Sequence, residues 1–343
     1  MKNLLWIDHS YHKKTNSSNC FAKEFLNDYF KIDFFFDESW QKGHHSDYSS
    51  IKFEEYDTII LWQIVPSDYV LNNIKNKNVI FIPMYDGVKD WGYKKWKKVK
   101  NFKILCFSKY LYDYLNKFNF DTEYIKYYTK PQEFSGNCKK SVFLWQRVSK
   151  INITTVKKLV GEYVEKIHIH KASDPTHKEQ SLSKDDIEKY HITFTNWFDN
   201  QDEFLDVIKN SEIFIAPRFT EGIGMPLLEA IAMGKAVIAN NAPTMNEYIQ
   251  HGVNGYLCDF RHPKKIDFSN IEQVKQNAYK SSLEGYEDLQ KNKKSVIDFI
   301  NKNKEKNTCL FKMALESFFT GLCSFKYKDG NYKLSLFFIS LKF

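Results

Sequence analysis

Six cysteines are scattered through 343 residues, at Cys20, Cys106, Cys138, Cys258, Cys309 and Cys323, and no two form a C-x-x-C pair. That spacing argues against a structural zinc site and against a disulfide framework, and it fits a reducing cytoplasm. No apolar run approaches the roughly 18 residues of a membrane span, and the start, MKNLLWIDHSYHKK, turns polar too soon for a signal peptide. Short repeats and low-complexity tracts are missing as well. The 50 Lys and Arg outnumber 42 Asp and Glu, a net charge of +8. There is no arginine-rich patch, so no nucleic-acid partner is expected. What the chain does have is apolar mass. With 43% hydrophobic and 17% aromatic residues it can bury large cores, and its length favours two of them.

Short apolar runs alternate with segments of helical period. LLWI (4–7), IDFFF (32–36), TIILW (58–62), VIFIP (79–83) and ILCFS (104–108) form one series. VFLWQ (142–146), YVEKIHI (163–169), ITFTNW (192–197), EIFIAP (212–217) and AVIAN (236–240) form a second. Buried strand alternating with helix predicts a parallel sheet covered on both faces, so two doubly wound α/β domains are expected. The boundaries are set at 1–130, 131–305 and a tail at 306–343, with Pro131–Lys140 as the linker. The tail spaces Phe311, Leu315, Phe318, Leu322 and Phe325 as one apolar helix face, and Asp329-Gly330 marks a hairpin turn.

In RFTEGIGMPLLEAIAMGKAVIAN, Arg218 to Asn240, two glutamates flank a glycine turn between a strand and a helix. Ligands of open α/β sheets bind beyond the carboxyl ends of strands, near helix N-termini. Gly222 and Gly224 let the chain turn sharply and let a ligand approach the backbone. The free amides around Ile223, Gly224 and Met225, aided by the helix dipole, suit a phosphate. Carboxylates accept pairs of hydroxyls, so Glu221 and Glu229 can grip a polyol at either end of a diphosphate. A nucleotide-sugar has that shape.

E-G-I-G-M-P-L-L-E resembles the signature of the retaining GT-B glycosyltransferases of family 4. GKAVIANNAPTMNEYIQHGVNGYLCD, with Glu247 and the Gly252–Gly255 turn, is similar to the segment that follows it there. The resemblance implies two Rossmann-like domains facing a cleft and transfer of a hexosyl unit with retention. It assigns Glu221 to the donor sugar, Glu229 to the ribose, and Gly222, Ile223, Gly224 and Met225 to the sugar and diphosphate. Arg147 and Lys150, in VFLWQRVSKINIT, are placed on the diphosphate as catalytic cations, although Gln146 stands where the family has glycine and Asn152 is closer to the usual lysine spacing. Arg218 is a further phosphate or acceptor contact.

Negative charge grows on the leaving diphosphate, so fixed donors there are the main catalytic resource. The chain has no Asp-x-Asp triplet, the usual metal holder of other glycosyltransferases, so neither metal nor cofactor is expected. On the acceptor side, His9 and His12 follow the first strand and Asp86 ends the fourth; each is a candidate acceptor contact or acid–base group. WGYKKWKKVKNFK, residues 91–103, interleaves Trp91 and Trp96 with six lysines, which suits an anionic membrane surface or, equally, a solvated helix face. The expected function is sugar transfer to a glycan or lipid-linked acceptor in polysaccharide or lipopolysaccharide synthesis, in the cytoplasm or peripheral on the membrane. A catalytically inactive GT-B assembly subunit is the alternative, favoured by Gln146 and the glycine-poor first loop.

Overall fold

The structure, a computed structural model, describes residues 1–15, 21–41, 44–174, 177–178, 180–198, 200–328 and 331–336. Two six-stranded sheets carry it. The first contains β1 (Lys2–His9), β2 (Phe30–Asp37), β3 (Thr58–Trp62), β4 (Asn78–Ile82), β5 (Lys103–Cys106) and β6 (Thr122–Tyr124), in the order β2-β1-β3-β4-β5-β6. The second contains β7 (Ser141–Trp145), β8 (Lys166–His170), β9 (Thr193–Thr195), β10 (Ile213–Ile215), β11 (Ala236–Asn240) and β12 (Tyr256–Cys258), in the order β12-β11-β10-β7-β8-β9. Every pairing within both sheets is parallel.

The period of two explains why the strands read as unbroken apolar runs. Leu4, Trp6, Ile60, Trp62, Ile80 and Ile82 enter one cluster, while their neighbours Leu5, Ile7, Ile59, Leu61, Val79 and Phe81 enter another on the opposite face. The first cluster continues through Phe143, Phe214 and Val237 of the second sheet, so one core joins the two halves. Val142, Leu144, Ile213 and Ile238 form a third cluster on the far face of that sheet.

The linker packs on the second half: the amides of Gln132 and Ser135 donate to the carbonyls of Ala232 and Met233. A 31-residue helix, Ile271–Asn301, then returns the chain to the first sheet. Its end buries Val296, Ile297, Phe299 and Ile300 in the shared core. Lys103, 1% exposed, donates to the carbonyls of Phe299 (2.7 Å) and Ile300 (3.0 Å), and Asn78 Nδ2 also reaches Ile300 O. A buried cation here offsets the negative end of the helix dipole and satisfies carbonyls that no helix partner reaches.

Two expectations are corrected. In the 91–103 segment Trp96 is 1% exposed and Trp91 packs on Phe81 and Trp96, so neither ring is free for a headgroup layer. Lys94, Lys95, Lys97 and Lys98 are exposed, and Lys98 pairs with Asp68, but Lys103 is buried. The tail helix is Leu310–Leu322 and packs against helix Tyr93–Lys98. Among its described side chains Met313 is buried, whereas Phe311 (75% exposed) and Leu315 (41%) face water. Phe325 lies in a strand, Cys323–Lys328, paired antiparallel with Asn331–Leu336. The expected turn residues Asp329 and Gly330, and the side chains of Phe318, Leu322 and Phe325, lie outside the described residues.

Candidate functional site

The carboxyl ends of β1, β4, β7 and β10 face one another across a cleft between the sheets. It encloses about 340 Å³ lined by His9, His12, Met84, Asp86, Trp145, Arg147, Arg218, Glu221, the turn from Gly222 to Pro226, and the rings of Tyr11 and Trp197. Strand ends collect ligand-binding loops because the strands stop there while their helices start, leaving unpaired backbone groups on one side.

The glycine turn works partly as expected. Gly224 has φ +81 and caps helix Met225–Ala232, a left-handed geometry that suits glycine, and Pro226 sits in the first turn, where a missing N–H is harmless. The amides of Ile223, Gly224 and Met225 find no backbone acceptor among the described residues. Gly222 has a different reason. A Cβ on it would lie 2.5 Å from Met84 Cβ, across the cleft, so glycine here lets the two halves approach.

An ion network crosses the cleft. Asp174, in the loop after β8, takes Arg147 Nη2 at 2.8 Å on one oxygen and Arg218 Nη2 at 2.7 Å on the other. Arg218 Nη1 reaches Asp86 of the first half at 3.2 Å. Arg147 also stacks on Trp145, 4.6 Å from the ring centre. Burial opposes ionisation of Asp174, but the two guanidiniums overcome it and hold the carboxyl below its ordinary range. For Asp86 burial wins over Arg218 and pushes the carboxyl up.

Glu221, 7% exposed, is raised to about 7, first by burial; Arg218 and Arg147 oppose the rise, and Asp86 and Asp174 add to it. Glu229, 8% exposed, is also raised to about 7 by burial. It does not line the cavity with Glu221; its Oε1 accepts a 2.6 Å hydrogen bond from Gln201 Nε2. Lys150 is exposed and off the cavity, so the structure does not bring it to Arg147. Asn152, close to the usual lysine spacing, caps helix Ile153–Val160 by accepting from the amides of Thr154 and Thr155.

His9 and His12 stand together, ring centres 3.9 Å apart, and His12 Nδ1 is 2.7 Å from Asp8 Oδ1. Glu247 lies elsewhere: its carboxylate crosses from the second half to accept from Ser108 Oγ (2.8 Å) and the amide of Lys109 (2.7 Å), capping helix Lys109–Asn116. Sequence reasoning missed Asp174, Asp8, Tyr11 and Trp197. Only Asp174 carried a signal, an Asp-Pro pair just after a predicted strand.

Residues 160–296 match the family model described as Glycosyl transferases group 1. Anabaena Alr3699/HepE, crystallised with UDP, superposes with a TM-score of 0.57 over 87% of this chain and 99% of its own, at 14% identity. Sucrose-phosphate synthase of Thermosynechococcus elongatus gives 0.52 over 94% and 98%, at 12% identity. The fold is GT-B. The pneumococcal O-GlcNAc transferase GtfA, in complex with UDP and GlcNAc, gives 0.53 at 17% identity, over 71% of this chain and 57% of that one. A curated relative, the "Uncharacterized 41.2 kDa protein in cps region" of Klebsiella pneumoniae, is 31% identical over 80 residues, 23% of this chain and 22% of the relative. The segment that matches the group 1 model lies in the second half of this GT-B chain, the half that also contributes Arg147, Asp174, Arg218 and Glu221 to the cleft. Among the described residues no helix is long and apolar enough to cross a membrane.

Proposed function

We propose that the protein transfers a sugar from a nucleotide-sugar to a glycan or lipid-linked saccharide in polysaccharide synthesis, in the manner of the family 4 enzymes, with retention and without a metal on the diphosphate. One observation carries the reading: Arg147 and Arg218 stand with Glu221 in a single cleft between two Rossmann-like halves. Solved GT-B structures with UDP support a uridine donor, and the relative from a cps region supports a surface-polysaccharide role.

In this reading the diphosphate takes over the guanidinium donors now turned on Asp174, and the amides at the start of helix Met225–Ala232 complete its cradle. As the anomeric C–O bond breaks, the fixed positive charge meets the charge growing on the leaving oxygen. Glu221, ionised, accepts the donor sugar hydroxyls. Glu229 holds the ribose, with Gln201 orienting it. Asp86, His9 and His12 form the acceptor wall, and the aromatic rings of Tyr11 and Trp197, 6.3 Å apart, offer an apolar face to a saccharide. Lys150 has no part as placed. Membrane association, if lysines of helix Tyr93–Lys98 supply it, is electrostatic, about 1 kcal/mol per exposed lysine.

The test is a panel of nucleotide-sugars with saccharide acceptors, read as nucleoside diphosphate released and product formed. A glycosylated product is expected with at least one donor, and Glu221→Ala should lower the rate about a hundredfold or more with the fold intact. Full activity in Glu221→Ala sinks the assignment, and nucleotide binding without any transfer favours the assembly-subunit alternative.

A further inference from the structure

At the end of β1, Asp8, His9 and His12 each offer one ligand atom, and the three atoms lie within 4.8 Å of one another. Asp8 is 0% exposed, and among the described residues its Oδ2 has no hydrogen-bond partner; His9 Nδ1 is buried and has none among them either. Buried polar atoms are nearly always satisfied, and a buried carboxylate oxygen is costly when it is not. We infer that Asp8, His9 and His12 form a site for a zinc-type divalent cation on the first-sheet wall of the cleft.

The surroundings are short of positive charge. Asp37, 1% exposed, lies directly across from His9 in the β1–β2 register and accepts from Ser39 and Tyr48. Among the described residues neither Asp8 nor Asp37 is ion-paired with a lysine or arginine. Two buried carboxylates beside two imidazoles make a place where a cation is better accommodated than a further anion. Gln63 stands against the His9 ring, whose Nδ1 has no partner among the described residues, and holds a left-handed backbone, φ 61.

Two imidazole nitrogens and one carboxylate oxygen are a zinc donor set, with ligand distances of about 2.0–2.2 Å. Ligands so spaced stand roughly 3.3 Å apart in a tetrahedron. The ion would therefore replace the proton between His12 Nδ1 and Asp8 Oδ1, now 2.7 Å apart, and draw in His9. His9 and His12 line the cleft, so the fourth position opens onto it, and a water or an acceptor oxygen completes the sphere. The arginines that would meet a diphosphate belong to the opposite wall, so this cation is separate from a diphosphate metal. The inference does not depend on sugar transfer.

The experiment titrates the chelator-treated full-length protein with Zn²⁺ by calorimetry and with Co²⁺ by visible absorption. One saturable ion per chain is expected, with cobalt bands of a four- or five-coordinate site. His9→Ala and His12→Ala should each weaken binding at least tenfold. Gln63→Ala, which leaves the ligands in place, should weaken it less but measurably, and His262→Ala, exposed and outside the cleft, should change nothing. Circular dichroism confirms that each variant is folded. Absence of saturable binding, or binding unchanged in both folded histidine variants, overturns the site.

Discussion

Glu221 should set the pH dependence of the reaction. Its carboxyl is raised from 4.5 to about 7, so below 7 it is protonated and cannot serve as an all-acceptor clamp for hydroxyls. About a tenth is ionised at pH 6 and about nine tenths at pH 8, an approximately tenfold rise in the competent form. Glu229 titrates near the same pH. Where both must be ionised, kcat/KM, which reports the free enzyme, climbs about a hundredfold between pH 6 and 8. His9, lowered to about 4, and Asp174, held below the ordinary carboxyl range, add no step in that window. Glu221→Gln keeps the shape but cannot ionise. It should lose most activity and leave a limb of about tenfold, the share of Glu229. The assay is initial nucleoside diphosphate release at subsaturating donor from pH 5.5 to 8.5. A Glu221→Gln enzyme with the wild-type rate and the full limb would refute the reasoning.

Burial of Glu229 gives a stability counterpart. Its folded pKa lies above the unfolded value, so its contribution to stability is complete below 4.5 and is lost as pH rises through about 7. The shift corresponds to roughly 3 kcal/mol at most. Glu229→Gln should therefore be more stable than the wild type at pH 8 by up to that amount in urea denaturation, and equal to it near pH 4; a difference independent of pH speaks against the burial. Gly222→Ala forces a Cβ to within 2.5 Å of Met84 Cβ, so the halves must part or strain. It should destabilise by about 1–3 kcal/mol and raise KM, and because the clash is with the Met84 side chain its cost should largely vanish when measured in a Met84→Gly background, itself destabilised by the lost core contacts. An undiminished cost in that background would speak against the clash.

The sheets were legible because their strands are buried on both faces. LLWI, TIILW and VIFIP leave no other reading than strand, and the helical segments between them require parallel pairing. Thr122–Tyr124 and Tyr256–Cys258 were missed because they are edge strands of only three residues, too short for their pattern to stand out from the adjoining loops. The return of helix Ile271–Asn301 to the first sheet was hidden because its deciding contact is Lys103, which reads as one more surface lysine. Trp96 misled for a related reason: lysines on three sides of a ring describe a headgroup layer and a buried anchor equally well, and only the packing of Phe120 against it decides. In the site, Glu221 stood out as a glutamate beside the glycine turn, Arg218 as the residue just before that loop, and Arg147 only through the family resemblance; all three line the cleft. Asp174 joins two arginines 27 and 44 residues away, and Asp8 looks like a strand residue until His12 folds back on it; such pairings exist only in three dimensions.

The central claim, that the cleft binds the diphosphate of a nucleotide-sugar through Arg147 and Arg218, is tested most directly by equilibrium titration of the protein with nucleoside diphosphates, UDP first. Saturable binding is predicted, weakened at least tenfold by Arg147→Ala and by Arg218→Ala and unchanged by Lys150→Ala. Binding by the wild type that survives both arginine substitutions, or no binding of any nucleoside diphosphate, would contradict it.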